Sequence, residues 1–126
     1  MIRLFLISCF MFAASYVNAQ TSYVPIIKFD SLSYNMGIMQ KGDNGDCIFK
    51  FKNTGKEPVI ITNVKAACGC TIPTWSSEPI IPGSEGNIVV KYNTNLIGVF
   101  RKSINVYSNI DEKPIVLTIR GEVKKK

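Results

Sequence analysis

The chain has 126 residues, 46% of them hydrophobic and 19% charged, with a formal charge of +6, four cysteines and no histidine. That length suits one domain, and the apolar share excludes an intrinsically disordered chain. Without histidine there is no Ser-His-Asp or Cys-His catalytic pair and no histidine-containing zinc site.

Residues 1–19 differ from the remainder of the chain. Arg3 is the only charge before Lys28, Leu4 to Ala14 is a nearly unbroken apolar run, and Val17-Asn18-Ala19 comes directly after it. A basic start, a short apolar core and a small-residue site predict a secretory signal peptide cleaved after Ala19, with Gln20 as the mature N-terminus. Leu6-Ile7-Ser8-Cys9 also has the look of a lipoprotein cleavage box. Cutting there would leave a minimal apolar core and would expose Phe10 to Ala14, so ordinary cleavage is preferred. The expectation is an exported protein, periplasmic or secreted. No later apolar run reaches the ~18 residues a spanning helix needs, so no transmembrane segment is expected after the leader. Lys124-Lys125-Lys126 is a basic tail, expected to be solvated rather than to contact nucleic acid.

Beyond the leader, short alternating segments are punctuated by turn residues. Tyr23 to Phe29 carries Pro25 and suits an edge strand. The turn Lys41 to Asp46 leads into Cys47 to Lys52, where Cys47, Phe49 and Phe51 share one face and Lys50 and Lys52 the other. Asn53 to Lys56 turns the chain into the β-branched stretch Pro58 to Val64. In Asn87 to Tyr92 the inward set is Ile88, Val90 and Tyr92. In Phe100 to Tyr107 it is Ile104 and Val106, with Arg101, Ser103 and Asn105 outward. Pro82-Gly83 reads as a turn, Pro fixing one dihedral and Gly accepting a positive one. Asp111-Glu112-Lys113 is a polar turn before Ile115 to Val123, whose Ile115, Leu117, Ile119 and Val123 share a face. Asp43, Asp46, Asp111 and Glu112 are expected in solvated turns rather than at a calcium ion.

No segment shows a helical period. About seven short strands with turns at short intervals argue for a single all-β, antiparallel β-sandwich, with a small Greek-key barrel as the competing fold.

Ala66-Ala67-Cys68-Gly69-Cys70-Thr71, followed by Pro73 and Trp75, resembles a bacterial secreted family of unknown function. Pro79 to Gly83, Gly86, Ile88 to Tyr92, Gly98-Val99-Phe100, Ile104 to Asn109 and Gly121-Glu122-Val123 fit the same family in the same order. The resemblance spans about residues 28–123, with residues 20–27 as an N-terminal extension and 124–126 as the tail. It implies an immunoglobulin-like sandwich, related to the modules of major sperm protein and of ciliary and centrosomal proteins. It supplies no enzymatic activity and no cofactor.

Cys68-Gly69-Cys70 is the one constellation with chemistry of its own. Two thiols a residue apart can close a tight disulfide ring, hold a soft metal ion, or exchange with another disulfide. Neither histidine nor a cluster of Arg and Lys flanks the pair to lower a thiol pKa, Lys65 being the nearest cation. Gly69 with Thr71 and Pro73 reads as a tight turn leaving a strand, not as a helix N-terminus that would stabilise a thiolate. After leader removal only Cys47, Cys68 and Cys70 remain, which excludes four-cysteine zinc and leaves copper(I), helped by Met36 or Met39, as the metal alternative. A structural role is favoured over exchange, and both over metal binding. Cys47, sharing a face with Phe49 and Phe51, is expected to be a buried apolar residue. Trp75 is either a partner contact or, as favoured here, a residue lying against the core.

The expected function is an exported, non-enzymatic binding or structural module of the bacterial envelope, with an unidentified protein partner. The alternative is a small thiol-disulfide or soft-metal-handling protein acting through Cys68 and Cys70.

Overall fold

The computed structural model describes residues 26–126. The leader, Cys9 and the segment Tyr23-Val24-Pro25 therefore lie outside the described residues. Eight strands succeed one another: β1 Ile27–Phe29, β2 Ser33–Gln40, β3 Asp46–Asn53, β4 Ile61–Ala66, β5 Thr71–Trp75, β6 Glu85–Tyr92, β7 Gly98–Ser108 and β8 Ile115–Lys124. They form two four-stranded sheets, ordered β1-β3-β6-β5 and β2-β8-β7-β4. The all-β sandwich is as expected.

The alternation in the sequence is the alternation of the sheets. In β3 the inward residues Cys47, Phe49 and Phe51 are buried, as are Ile88, Val90 and Tyr92 in β6. From the second sheet Phe100, Ile104, Val106, Leu117, Ile119 and Val123 meet them. Rings bridge the layers and neighbouring strands: Phe29 tilts on Phe51 at 5.2 Å between centroids, and Tyr92 stacks on Phe100 at 3.8 Å. Two faces that each exclude water must pack on one another, and this apolar seam is the main source of stability. Ile115 is the exception in the inward set, since it is only half-buried and lines an opening at the end of the sandwich.

The structure corrects three expectations. There are eight strands rather than about seven, because β2 and β5 carry no clean alternation in sequence. In β2 the register with β8 shifts between Asn35 and Ile38, so the inward side changes parity from Met36 to Met39. Gly37 sits at this bulge with φ 72°, a conformation costly for a residue with a Cβ. Thr71 and Pro73 belong to strand β5, paired with β6, in place of the tight turn expected at Gly69, Thr71 and Pro73. There the polar Thr71 points in and Ile72 points out, with Pro73 beyond them, which inverts the usual signal. Finally, the sandwich is not wholly antiparallel, as β2 runs parallel to β8. The stretch Pro58 to Val64 enters its sheet only at Ile61, with Val59 making an isolated bridge to Ile80. The Pro82-Gly83 turn is present, with Gly83 at φ 84°.

Candidate functional site

Cys68 and Cys70 lie on the loop that carries the chain from β4, an edge of one sheet, to β5, an edge of the other. They form a disulfide across a sequence separation of 2, with Cα atoms 5.4 Å apart. Both are half-buried, and Gly69 between them is exposed. The two sulfurs have different surroundings. Cys70 packs against the core, whereas Cys68 does not. The Cys70 carbonyl accepts from the Asn93 amide at 2.8 Å, and Cys70 Sγ lies 3.8 Å from the hydroxyl of the buried Thr71. The Thr71 amide in turn donates to the Cys68 carbonyl at 3.3 Å.

Trp75 ends β5 opposite Ile88 and is half-buried against the core. It is not brought next to Cys68 and Cys70 along the strand, since Thr71 to Thr74 intervene.

Cys47 stands apart. It is 3% exposed in the core, and its thiol is pushed up to about 11, by burial first and by the neighbouring Asp46 carboxylate second. A thiol so placed stays protonated and inert at neutral pH. The unfolded state would ionise it near its ordinary value, so folding stability is complete below about pH 9 and should decline as pH rises toward 11. A Cys47→Ala variant, compared by urea unfolding at pH 8 and pH 10.5, should lose part of that decline. An equal decline in both proteins would assign the effect to other groups.

Two of the acidic residues expected in turns, Asp43 and Asp111, serve backbone there. Asp43 Oδ2 accepts from the Gln40 amide at 2.8 Å and Asp111 Oδ1 from the Lys113 amide at 3.0 Å. Asp46, by contrast, opens strand β3. Among the described residues no group of three or more His, Cys, Asp or Glu side chains is placed to hold a metal ion.

Sequence reasoning did not anticipate how the sheet edges are covered. On β5, the Cys70–Asn93 bond sets the ladder parity, so Thr71, Pro73 and Trp75 direct their backbone outward. Of these, Pro73 has no N–H and the Thr71 amide is taken by Cys68. On β2, the bond from Thr118 to Leu32 places the Ser33 amide and carbonyl on the outer edge, and Ser31 Oγ meets both, at 3.3 and 2.7 Å. Further along, Asn35 Oδ1 accepts from Gly37 and Asp43 from Gln40. β1 spans only 3 residues. β4 differs, because among the described residues nothing beyond its β7 ladder hydrogen-bonds the backbone of Ile61–Ala66. Unpaired edge groups are a template for another strand, and proteins usually blunt them by these means.

A cavity of about 580 Å³ also opens at the β1 end of the sandwich, walled by Ile27, Phe29, Leu32, Ile110, Pro114 and Ile115. It escaped the sequence because its walls come from β1 and from the β7–β8 turn, which are far apart in the chain.

The model of a family described as proteins of unknown function, DUF1573, matches residues 27–123. The chain belongs to this family. No curated protein matches it. Among solved structures, a protein of unknown function from Porphyromonas gingivalis W83 superposes with a TM-score of 0.68 at 14% identity. That match covers 77% of this chain and 46% of the other, so this DUF1573 chain spans less than half the length of that protein. The ASH/PapD-like domain 7 of human CEP192 gives a TM-score of 0.66 at 8% identity, covering 85% of this chain and 93% of that one. The CupB2 chaperone of Pseudomonas aeruginosa gives 0.57 at 8% identity, covering 75% and 54%. At such identities the likeness is one of fold, a PapD-like, immunoglobulin-like sandwich. No helix among the described residues is long and apolar enough to cross a membrane.

Proposed function

We propose that this DUF1573 domain is an exported, non-enzymatic module of the bacterial envelope that binds a protein partner by accepting an extended segment along β4. The observation that carries the reading is the contrast between edges: on β2 and β5 side chains, a proline and a folded-back loop remove outer amides, while on β4, which has a bulge between Ile61 and Asn63, no group among the described residues does so beyond the β7 ladder. A partner strand laid on β4 would gain main-chain hydrogen bonds, with alternate side chains providing selectivity. The chaperone fold of CupB2 is consistent with a role in protein binding. A chain without histidine, whose inward side chains are almost all apolar, offers little for general acid–base catalysis.

Site-specific photo-crosslinking in the producing cell tests this. A photoreactive residue at Thr62 on β4 should yield a discrete crosslinked protein, and the same residue at Ser33 on β2 should not. Equal crosslinking from both edges, or none from Thr62, would refute the assignment of β4.

A further inference from the structure

We propose that the Cys68–Cys70 disulfide is a thiol–disulfide exchange site, in which Cys68 is attacked and Cys70 leaves, and whose substrate is a protein dithiol. This does not depend on the β4 edge as a docking strand.

The bond closes over one residue inside one loop, so it ties no two distant elements together. Closing so short a loop removes little entropy from the unfolded chain, which makes the bond a poor structural staple. It is also reachable: both cysteines are half-exposed, Gly69 is exposed, and apart from its two chain neighbours nothing lies within 4 Å of where a Cβ on Gly69 would stand.

The surroundings of the two sulfurs give the reaction a direction. An attacking thiolate approaches along the S–S axis from behind the sulfur it strikes. Cys70 packs against the core and Cys68 does not, so Cys68 is the more accessible electrophile. The leaving sulfur is then Cys70, and the Thr71 hydroxyl 3.8 Å away can donate to the negative charge that develops there. Stabilising the leaving thiolate lowers its pKa and speeds exchange. Because Thr71 is 3% exposed and its amide is held by the Cys68 carbonyl, this donor is fixed in place.

In the first step a partner thiolate bonds to Cys68 Sγ, the Cys68–Cys70 bond breaks, and its electron pair leaves on Cys70 Sγ. The partner's second thiolate then attacks the partner sulfur of this mixed disulfide and releases Cys68. The two protons of the partner's thiols end on Cys68 and Cys70. The partner dithiol is thereby oxidised by two electrons, and the Cys68–Cys70 pair is reduced by two.

Dithiothreitol serves as the dithiol probe on the folded protein, with alkylation and mass spectrometry reporting the opened pair. The wild-type pair should open under native conditions. Thr71→Val should slow opening about three- to tenfold, with Thr71→Ser restoring it, because only a hydroxyl supports the leaving thiolate. With oxidised glutathione, the remaining thiol of Cys70→Ala should form the mixed disulfide about tenfold faster than that of Cys68→Ala. A pair that opens only when the protein unfolds, or an opening rate indifferent to Thr71→Val, would overturn the proposal. So would equal glutathione capture by the two single variants.

Discussion

Replacing Asn53 with Leu should lower the free energy of unfolding by about 2–4 kcal/mol, although the branching and the number of side-chain heavy atoms are the same. Asn53 is 0% exposed at the end of β3. Its Nδ2 donates to the carbonyls of Glu57 and Ile80, both at 2.8 Å, and its Oδ1 accepts from the Gly55 amide at 3.0 Å. Its own backbone receives Gly83 N–H at 2.8 Å and donates to the Ser84 carbonyl at 3.0 Å. One side chain thus holds the turn after β3 against the chain before β6. Leucine would leave the Glu57 carbonyl and the Gly55 amide without partners and would reduce the Ile80 carbonyl to its one bond from the Val59 amide, and such losses cost more than the bonds themselves contribute. Asn53→Asp sharpens the test. A carboxylate would face two carbonyl oxygens, so this variant should be the less stable one at neutral pH. It should recover as pH falls, because protonation restores one donor and relieves a buried charge. Urea midpoints at constant slope are the measurement. A loss below about 0.5 kcal/mol for Asn53→Leu would show that water replaces these bonds without cost.

Phe51→Ala should be comparably damaging, at about 3–5 kcal/mol, which is a third or more of a typical small domain's stability. Phe51 is 1% exposed, and its ring meets Phe29 at 5.2 Å. Its cross-strand partner in β6 is Gly86. A Cβ on Gly86 would collide with Phe51 Cζ and with Ile80 Cδ1, so the ring occupies the space a larger residue would need. Gly86→Ala alone should therefore cost about 1–3 kcal/mol through overpacking. Because both changes act on one volume, the double variant Phe51→Ala with Gly86→Ala should lose less than the sum, with a coupling of at least about 0.5 kcal/mol. Strict additivity in a double-mutant cycle would mean that the ring moves aside freely and that Gly86 is present for another reason.

These two residues also mark what kind of information a sequence carries. Phe51 was legible, because Cys47, Phe49 and Phe51 alternate with Lys50 and an unbroken strand must put them on one face. The same logic recovered the faces of β6, β7 and β8. Asn53 gave no such signal. An asparagine beside Thr54 and Gly55 reads as an ordinary turn residue, and only the arrival of Ile80 from elsewhere in the chain turns it into a buried clamp. Strands β2 and β5 were hidden for a related reason: a bulge at Gly37 changes the parity of one, and Pro73 with an inward threonine masks the other.

Local alternation of apolar and polar residues is a property of the chain, so the all-β class, the buried faces and the inert Cys47 could be derived before any contact was known. The closeness of Cys68 and Cys70 came directly from their spacing. The asymmetry between them did not, because which cysteine packs against the core depends on how the sheets stack. Which strands stand at the edges, and which of those edges Ser31, Asp43 and Pro73 cover, depends likewise on strand order. Strand order is set by pairings between segments distant in sequence, and those pairings exist only once the two sheets have closed on one another.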